Sequence, residues 1–96
     1  MLLLGAALAL ATGGCIGTLY AVKASSASSK IETARTLGAE HYAPFEYYYA
    51  KEHLDKASEE AAAAQYGEAI NFAEIAQDYA DKAIALSRAA HQGAGR

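Results

Sequence analysis

The feature of this sequence that most constrains its fold is the alanine content of its second half. Between positions 57 and 90, 13 of 34 residues are alanine. Alanine has the highest helix propensity of all residues, but its side chain buries little apolar surface. Alternation of apolar and polar residues is absent and β-branched residues are few, so no strand is predicted. We therefore predict an all-α fold with a thin core and closely spaced helices.

Apolar residues repeat with helical spacing in two long segments, residues 44–65 and 68–90. The stripe of the first segment consists of Tyr47, Ala50, Leu54, Ala57, Ala61 and Ala64. The stripe of the second segment consists of Ala69, Phe72, Ala76, Tyr79, Ala80, Ala83, Ser87 and Ala90. In the short turn between them, Gly67 is the residue that we expect to adopt an unusual backbone angle. Two such stripes predict a long antiparallel helical hairpin.

A shorter helix is predicted before this hairpin. The segment SKIE, from Ser29 to Glu32, fits the capping-box pattern, so we expect the folded part to begin near Lys30. This helix should end before Pro44, because the residue that precedes a proline avoids helical angles. Pro44 itself suits the first position of the next helix. We therefore predict a three-helix domain at residues 30–91 and a disordered tail at residues 92–96.

The N-terminal segment has the pattern of an export signal. Residues 1–14 carry no charge, and the run MLLLGAALALAT leads through two glycines to Cys15, the only cysteine of the chain. The pattern TGGC resembles the lipobox of bacterial lipoproteins, in which a peptidase cleaves before a cysteine that already carries diacylglycerol. The resemblance implies a signal peptide at residues 1–14, lipid attachment at Cys15 and anchoring of the chain in a membrane.

The residues after the cysteine are expected to form a flexible tether or, alternatively, a frayed entry to the first helix. Residues 16–29 are rich in Ser and Ala and show little periodicity, which is typical of a linker. In lipoproteins, an Asp directly after the cysteine commonly retains the protein at the inner membrane. Ile16 stands there in this chain. The resemblance therefore implies that the protein is located at the periplasmic face of the outer membrane, with the inner membrane as the alternative location.

An uncleaved membrane span is the alternative interpretation of the N-terminal segment. From Leu2 to Val22 there are 21 consecutive uncharged residues. At 1.5 Å per residue this length is enough to cross a bilayer of ~30 Å. Gly13 and Gly17 form a GxxxG pair, which would let two such helices approach closely. In this interpretation the chain is an inner-membrane protein that dimerises through its span.

The sequence contains no pattern that is typical of a catalytic, cofactor-binding or metal-binding site. The three histidines, His41, His53 and His91, lack a second histidine or a carboxylate at the spacing of zinc ligands. Most carboxylates fall opposite the apolar stripes, where a solvated helix surface accounts for them. The formal net charge of −3 offers no basic excess for nucleic acid. We therefore predict a non-enzymatic protein without cofactor, metal or nucleic-acid partner.

The segment YAPFEYYY contains a dense cluster of aromatic residues. Tyr47 lies on the main stripe of its helix, whereas Phe45 and Tyr49 point to nearly the opposite side. Two interpretations remain open. Either the first helix packs against that side, or Phe45, Tyr48 and Tyr49 form an exposed surface that binds a protein partner or a small ligand such as a glycan.

The order LGAEHYAPFEYYYAKEHLDKA…AAQYGEAINFAEIAQDYADKA resembles an uncharacterised domain family of bacterial envelope proteins, many of them lipoproteins. The residues that match its helix junction and its turn are Gly38, Ala39, Ala43, Pro44, Tyr66 and Ala69. The second half also resembles part of a tetratricopeptide unit. Relatives often carry a following OmpA-like peptidoglycan-binding domain that this sequence lacks, so peptidoglycan is not predicted as a partner. We expect an adaptor or structural component of the envelope, with a protein partner or self-association.

Overall fold

The structure is a computed structural model that describes the backbone of residues 2–94 and the side chains of residues 15–93. Its helices, in chain order, are α1 (Leu2–Thr36), α2 (Ala39–Tyr42), α3 (Pro44–Ala62) and α4 (Tyr66–Ala94). Within residues 2–94 no strand is present. The predicted all-α fold with a long helical hairpin is confirmed. The helix before the hairpin was predicted to be shorter, but α1 is the longest of the described helices, because it continues through the segment predicted as a tether.

The three long helices run up, down and up. Along α1 and α4 the contacting pairs advance together, from Lys23–Glu74 at 3.8 Å to Lys30–Asp81 at 2.9 Å, so these two helices are parallel. Because the chain reverses once through α2 and once at the turn before α4, α3 is antiparallel to both. The largest interfaces are those of α4 with α3 and with α1, and the interface of α1 with α3 is smaller.

Alanine dominates the core, as its frequency in the sequence predicts. Of the fourteen buried apolar residues in the described part of the chain, eleven are alanine, and the others are Ile31, Tyr47 and Ile84. The predicted stripe of α3 is correct in its middle, but Ala64 is exposed because α3 ends at Ala62. α4 buries a wider face than its predicted stripe, since it packs against two helices rather than one.

Residues 16–29 are helical, in contrast to the flexible tether that the sequence predicted. They continue α1 without a break, and Ala27 is fully buried. Gln77 on α4 donates its side-chain N–H to the carbonyl of Lys23 at 3.0 Å, which ties this part of α1 to the bundle. Ser29 lies inside α1 and caps no helix. The small residues that suggested a linker allow α1 to approach α4, which explains why the composition was misleading.

The first predicted helix is interrupted at Leu37 and Gly38. The helix α1 ends at Thr36, and Gly38 adopts a left-handed conformation with φ 83° before α2 begins. Pro44 lies in the first turn of α3, as predicted. At the other terminus, α4 continues through Ala94, so the prediction of a disordered tail from residue 92 is wrong for residues 92–94. Residues 95 and 96 lie outside the described chain.

The turn between α3 and α4 depends on Ala64 and not on Gly67. Ala64 has φ 60°, whereas Gly67 lies in the first turn of α4. The N–H of Ala64 donates to the carbonyl of Ala61 at 2.9 Å, and the N–H of Gln65 donates to the carbonyl of Glu60 at 2.8 Å. This pair of bonds closes α3 with the left-handed cap that usually contains glycine.

Candidate functional site

Five aromatic residues of α3 and α4 form a continuous row along the groove between these helices. Phe45, Tyr49 and His53 follow one another at intervals of four residues, so they share one face of α3. Their neighbours on α4 are Tyr79 and Phe72. We call these five residues the aromatic row.

Ring contacts inside the aromatic row are close. Tyr49 is its centre, with ring centroids 4.1 Å from His53 and 4.2 Å from Tyr79. Phe45 lies 5.5 Å from Tyr49, and Phe72 lies 5.9 Å from His53. Such tilted and stacked pairs contribute roughly 0.5–1.5 kcal/mol each beyond the area that they bury. The row therefore holds Tyr49 in one position.

Polar groups also hold the aromatic row. The ring Nδ1 of His53 donates to the carbonyl of Tyr49 at 2.8 Å. At the side of α4, the ammonium group of Lys82 lies 4.3 Å from the centroid of Tyr79, which is the geometry of a cation–π contact. The row is thus a fixed surface with a positive charge beside it.

The structure separates the three residues that the sequence proposed as partner contacts. Phe45 is 64 % exposed and Tyr48 is 47 % exposed, whereas Tyr49 is half-buried inside the aromatic row. Phe45, Tyr48 and Tyr49 line a shallow depression together with Pro44 and Glu52. Phe45 and Tyr48 can therefore reach a partner; the ring of Phe45 packs against Tyr49 and that of Tyr48 against Tyr47.

The first helix does not cover this surface, in contrast to one of the two interpretations of the aromatic cluster. It packs on the other side of α3, where Ile31 and Ala34 belong to the same buried cluster as Tyr47. Burial raises the pKa of the Tyr47 phenol above its ordinary value. The direction of each ring on α3 was predictable from helical periodicity, but the helix that each ring meets was not.

A charged pair lies at the edge of the groove between α1 and α3. The guanidinium of Arg35 donates from Nε to the carboxylate of Glu32 at 3.0 Å. This hydrogen bond, with the attraction between the opposite charges, holds the pKa of Glu32 below its ordinary value and raises the pKa of Arg35. Both side chains are exposed, so the pair belongs to the solvated surface.

His41 and His91 both contact the ring of Tyr42, whereas His53 lies elsewhere, in the aromatic row. His91 donates from Nε2 to the carbonyl of Leu37 at 2.7 Å, and its ring lies 5.0 Å from that of Tyr42. The ring of His41 lies 4.9 Å from that of Tyr42. These contacts join the end of α4 to the corner between α1 and α2, a role that the sequence did not indicate. Among the described residues, no three His, Cys, Asp or Glu side chains are grouped so that they could hold a metal ion.

Cys15 lies near the opposite end of the bundle and is exposed. Gly17, two residues later, faces Tyr66, because a Cβ atom on Gly17 would lie 3.9 Å from that ring. One half of the predicted GxxxG surface is therefore occupied by a residue of the same chain. The other half, Gly13, belongs to the residues whose side chains are not described, as do the predicted signal peptide and most of the predicted span. In the part that is described, no helix has a stretch long and apolar enough to cross a membrane.

Residues 23–94 match the model of a protein family described as a domain of unknown function, DUF4398. The chain belongs to the DUF4398 family. This result confirms the resemblance to an uncharacterised domain family. No curated protein and no solved structure gives a significant match to the chain.

The DUF4398 match includes the part of α1 that packs against α4 from Lys23 onward. The match begins at residue 23, where Lys23 makes its contacts with Glu74 and Gln77. The match therefore begins seven residues before the predicted domain start at Lys30. The aromatic row lies inside the DUF4398 domain, whereas Cys15 precedes the domain.

Proposed function

We propose that this DUF4398 protein is a bacterial lipoprotein that acts as a non-enzymatic interaction component of the cell envelope. In this proposal a lipid on Cys15 anchors the chain, at the periplasmic face of the outer membrane. The observation that carries the proposal is an exposed cysteine that directly follows an uncharged run ending in TGG. A single acyl chain binds a membrane only marginally, whereas the three-chain anchor implied by the lipoprotein resemblance holds persistently.

The surface that we assign to the partner contains Phe45 and Tyr48. Exposed aromatic rings are frequent anchors of protein interfaces, because they bury a large area at a small cost in side-chain entropy. Here the ring of Phe45 packs against Tyr49 and Tyr79, and the ring of Tyr48 packs against Tyr47, so little order has to be gained on binding. A protein partner or a second copy of the chain is the expected occupant.

Lipid attachment is tested on the protein extracted from bacterial membranes. We expect an intact mass that lacks residues 1–14 and includes the lipid, and incorporation of labelled palmitate. The variant Cys15→Ser should lose the label and leave the membrane fraction. A control variant combines Cys15→Ser with Ser25→Cys, which restores a thiol on an exposed position outside the TGGC pattern. If residues 1–14 are retained on a chain with an unmodified thiol, the proposal is wrong and the uncleaved span replaces it.

Partner binding is tested by crosslinking in living cells. The wild-type protein should form a crosslinked species with its partner, and the double variant Phe45→Ala and Tyr48→Ala should not form it. Leu86→Ala is the matched control, because Leu86 is an apolar residue on α4 with an exposure close to that of Tyr48. Circular dichroism should show unchanged helix content in all three proteins. Crosslinks that persist in the double variant would assign the partner to another surface.

A further inference from the structure

The shallow depression on α3 combines aromatic rings with one charged group. Its rings belong to Phe45, Tyr48 and Tyr49, and Glu52 supplies the charge. Pro44 completes the lining, which contains no basic side chain. We call these five residues the aromatic depression. The face of an aromatic ring is electronegative and a carboxylate is negatively charged, so both kinds of group attract a cation.

The carboxylate of Glu52 is available to a ligand. Glu52 is exposed, and its side chain makes no ion pair or hydrogen bond with any other residue in the described part of the chain. Two other carboxylates of α3, those of Glu59 and Glu60, lie 3.6 and 3.9 Å from the ammonium group of Lys56. Glu52 therefore keeps both carboxylate oxygens free to accept hydrogen bonds from a partner.

Neighbouring rings of this surface already contact ammonium groups of the same chain. The ammonium group of Lys51 lies 5.6 Å from the ring centroid of Tyr47 and 5.9 Å from that of Tyr48. The ammonium group of Lys82 lies 4.3 Å from the centroid of Tyr79. These distances are typical of cation–π contacts. Neither lysine lines the aromatic depression, so its exposed rings offer the same interaction to a cation from outside the chain.

The helix that carries the aromatic depression is acidic. The five acidic and two basic residues of α3 give it a formal charge of −3, which equals that of the whole chain. Asp55 and Glu59 follow Glu52 on the exposed side of the helix at helical spacing. By contrast, α1 contains three basic residues and one acidic residue. Because complementary charges select partners, α3 fits a basic partner segment.

We propose that an arginine side chain of a protein partner occupies the aromatic depression. A guanidinium group is planar, so it stacks on the rings of Phe45 or Tyr48 while it donates two parallel hydrogen bonds to Glu52. A lysine ammonium is more strongly hydrated and lacks this paired geometry. The depression has a volume of about 350 Å³, which suits one side chain rather than an extended ligand. This inference rests on the proposed function for the existence of a protein partner, and it adds the chemistry of the contact.

The first test compares two peptides that differ in the charge of one side chain. The full chain is extracted from bacterial membranes into micelles of a non-ionic detergent, and the NMR amide shifts of residues 44–52 are followed. The probes are acetyl-Gly-Arg-Gly-amide and its citrulline analogue, which keeps the shape of arginine but is neutral. The arginine peptide should shift these amides and bind about three-fold more tightly or better. Equal binding of both peptides, or no shift with either, would overturn the proposal.

Variants separate the carboxylate of Glu52 from the charge of the whole protein. Glu52→Gln should weaken binding of the arginine peptide by about three-fold. Asp78→Asn is the matched control: it removes the same charge from an exposed residue that lines a groove with Lys23, on the α1 side of α4, and should leave the affinity unchanged. Tyr48→Phe should bind the peptide and Tyr48→Ala should bind it more weakly, with equal helix content by circular dichroism. If Glu52→Gln and Asp78→Asn weaken binding equally, the proposal is wrong.

Other occupants of the aromatic depression are tested with the same amide shifts. Chitotriose serves as a glycan probe and phosphocholine as a lipid headgroup probe. If either binds residues 44–52 more tightly than the arginine peptide does, the depression takes that ligand and the proposal is wrong. Shifts that appear when the concentration of the protein alone is raised, and that Glu52→Gln does not change, would assign the depression to the rings of a second copy and likewise overturn it.

Crosslinking in living cells distinguishes this inference from the proposed function. Glu52→Gln should lower the yield of the crosslinked species that the variant Phe45→Ala and Tyr48→Ala abolishes. If Glu52→Gln crosslinks like the wild type while the double variant does not, the surface binds a protein without a cation, and this inference alone is wrong. If crosslinks persist in the double variant, the partner surface of the proposed function is wrong. The peptide comparison then decides by itself: a preference for arginine still supports a guanidinium site, and equal binding overturns it.

Discussion

A Cβ atom on Gly38 would lie 3.0 Å from the ring of Tyr42 in the corner between α1 and α3. Gly38 also has φ 83°, a conformation that costs other residues about 1–2 kcal/mol. The variant Gly38→Ala should therefore lower the free energy of unfolding by at least that amount, measured by urea denaturation. Gly67→Ala is the control: it lies in α4 with nothing within 4 Å of the added atom, so a gain of about 0.4–1 kcal/mol is expected. Equal effects of both variants would contradict this account of the corner.

Ala64 presents the opposite case, since a residue with a side chain occupies a left-handed position at φ 60°. We expect Ala64→Gly to raise the free energy of unfolding by roughly 0.5–1 kcal/mol, because strain is removed while chain entropy is added. The control is Ala85→Gly, an exposed position inside α4, where a loss of about 1 kcal/mol is expected. If both glycines destabilise the protein, Ala64 is not strained.

The sequence predicted the long helices well because each depends on a local pattern. The stripes of α3 and α4 and the position of Pro44 were sufficient for the hairpin. The continuous α1 was missed, because small polar residues are equally common in linkers and in closely packed helices. The contact of His91 with Leu37 joins residues 54 positions apart, and no local pattern contains such a contact.

The candidate site could be predicted only in part, because its contacts between helices also have no local sequence pattern. Helical periodicity separated Tyr47 from Phe45 and Tyr49, and the structure agrees with that separation. Which neighbour covers each face depends on how three helices are arranged. The sequence did not show that Tyr79 reaches Tyr49, or that Phe45 remains exposed beside it.

The thin core leaves no room for larger side chains where helices meet. Ala80 is fully buried in the cluster that also contains Ala34 and Ala50. The variant Ala80→Leu should lower the free energy of unfolding by about 1–3 kcal/mol, because the helices must separate to admit the side chain. Ala85→Leu, on the exposed side of α4, should change it by less than about 0.5 kcal/mol. If the Ala80→Leu variant folds and is as stable as the wild-type protein, the helices can move apart without loss of stability, and this account of the core is wrong.

Ser87 is the buried polar residue of the core, and its hydroxyl has no hydrogen-bond partner within the described chain. An unpaired buried hydroxyl costs about 1–3 kcal/mol. We therefore expect Ser87→Ala to raise the melting temperature, in contrast to the usual effect of a core substitution. Ser58→Ala, at an exposed position of α3, should leave it nearly unchanged. A lower melting temperature for Ser87→Ala would indicate that the hydroxyl makes a favourable contact.

The raised pKa of Tyr47 predicts how the free energy of unfolding changes at alkaline pH. Burial raises the pKa of its phenol above the ordinary value of 10.0, although the nearby Lys51 acts in the opposite direction. The folded protein therefore holds this proton more tightly than the unfolded chain does. Its contribution to stability is complete below pH 10.0 and is lost as the pH rises through the raised pKa of the folded state.

The variant Tyr47→Phe isolates this contribution, because phenylalanine keeps the ring and cannot ionise. Urea denaturation at neutral pH and above pH 10 should show that the wild-type protein loses more stability with alkali than the variant does. Tyr48→Phe, at the exposed neighbouring position, is the control and should retain the loss that Tyr47→Phe removes. If the alkaline loss is the same in wild type and Tyr47→Phe, the phenol of Tyr47 titrates alike in the folded and unfolded chains.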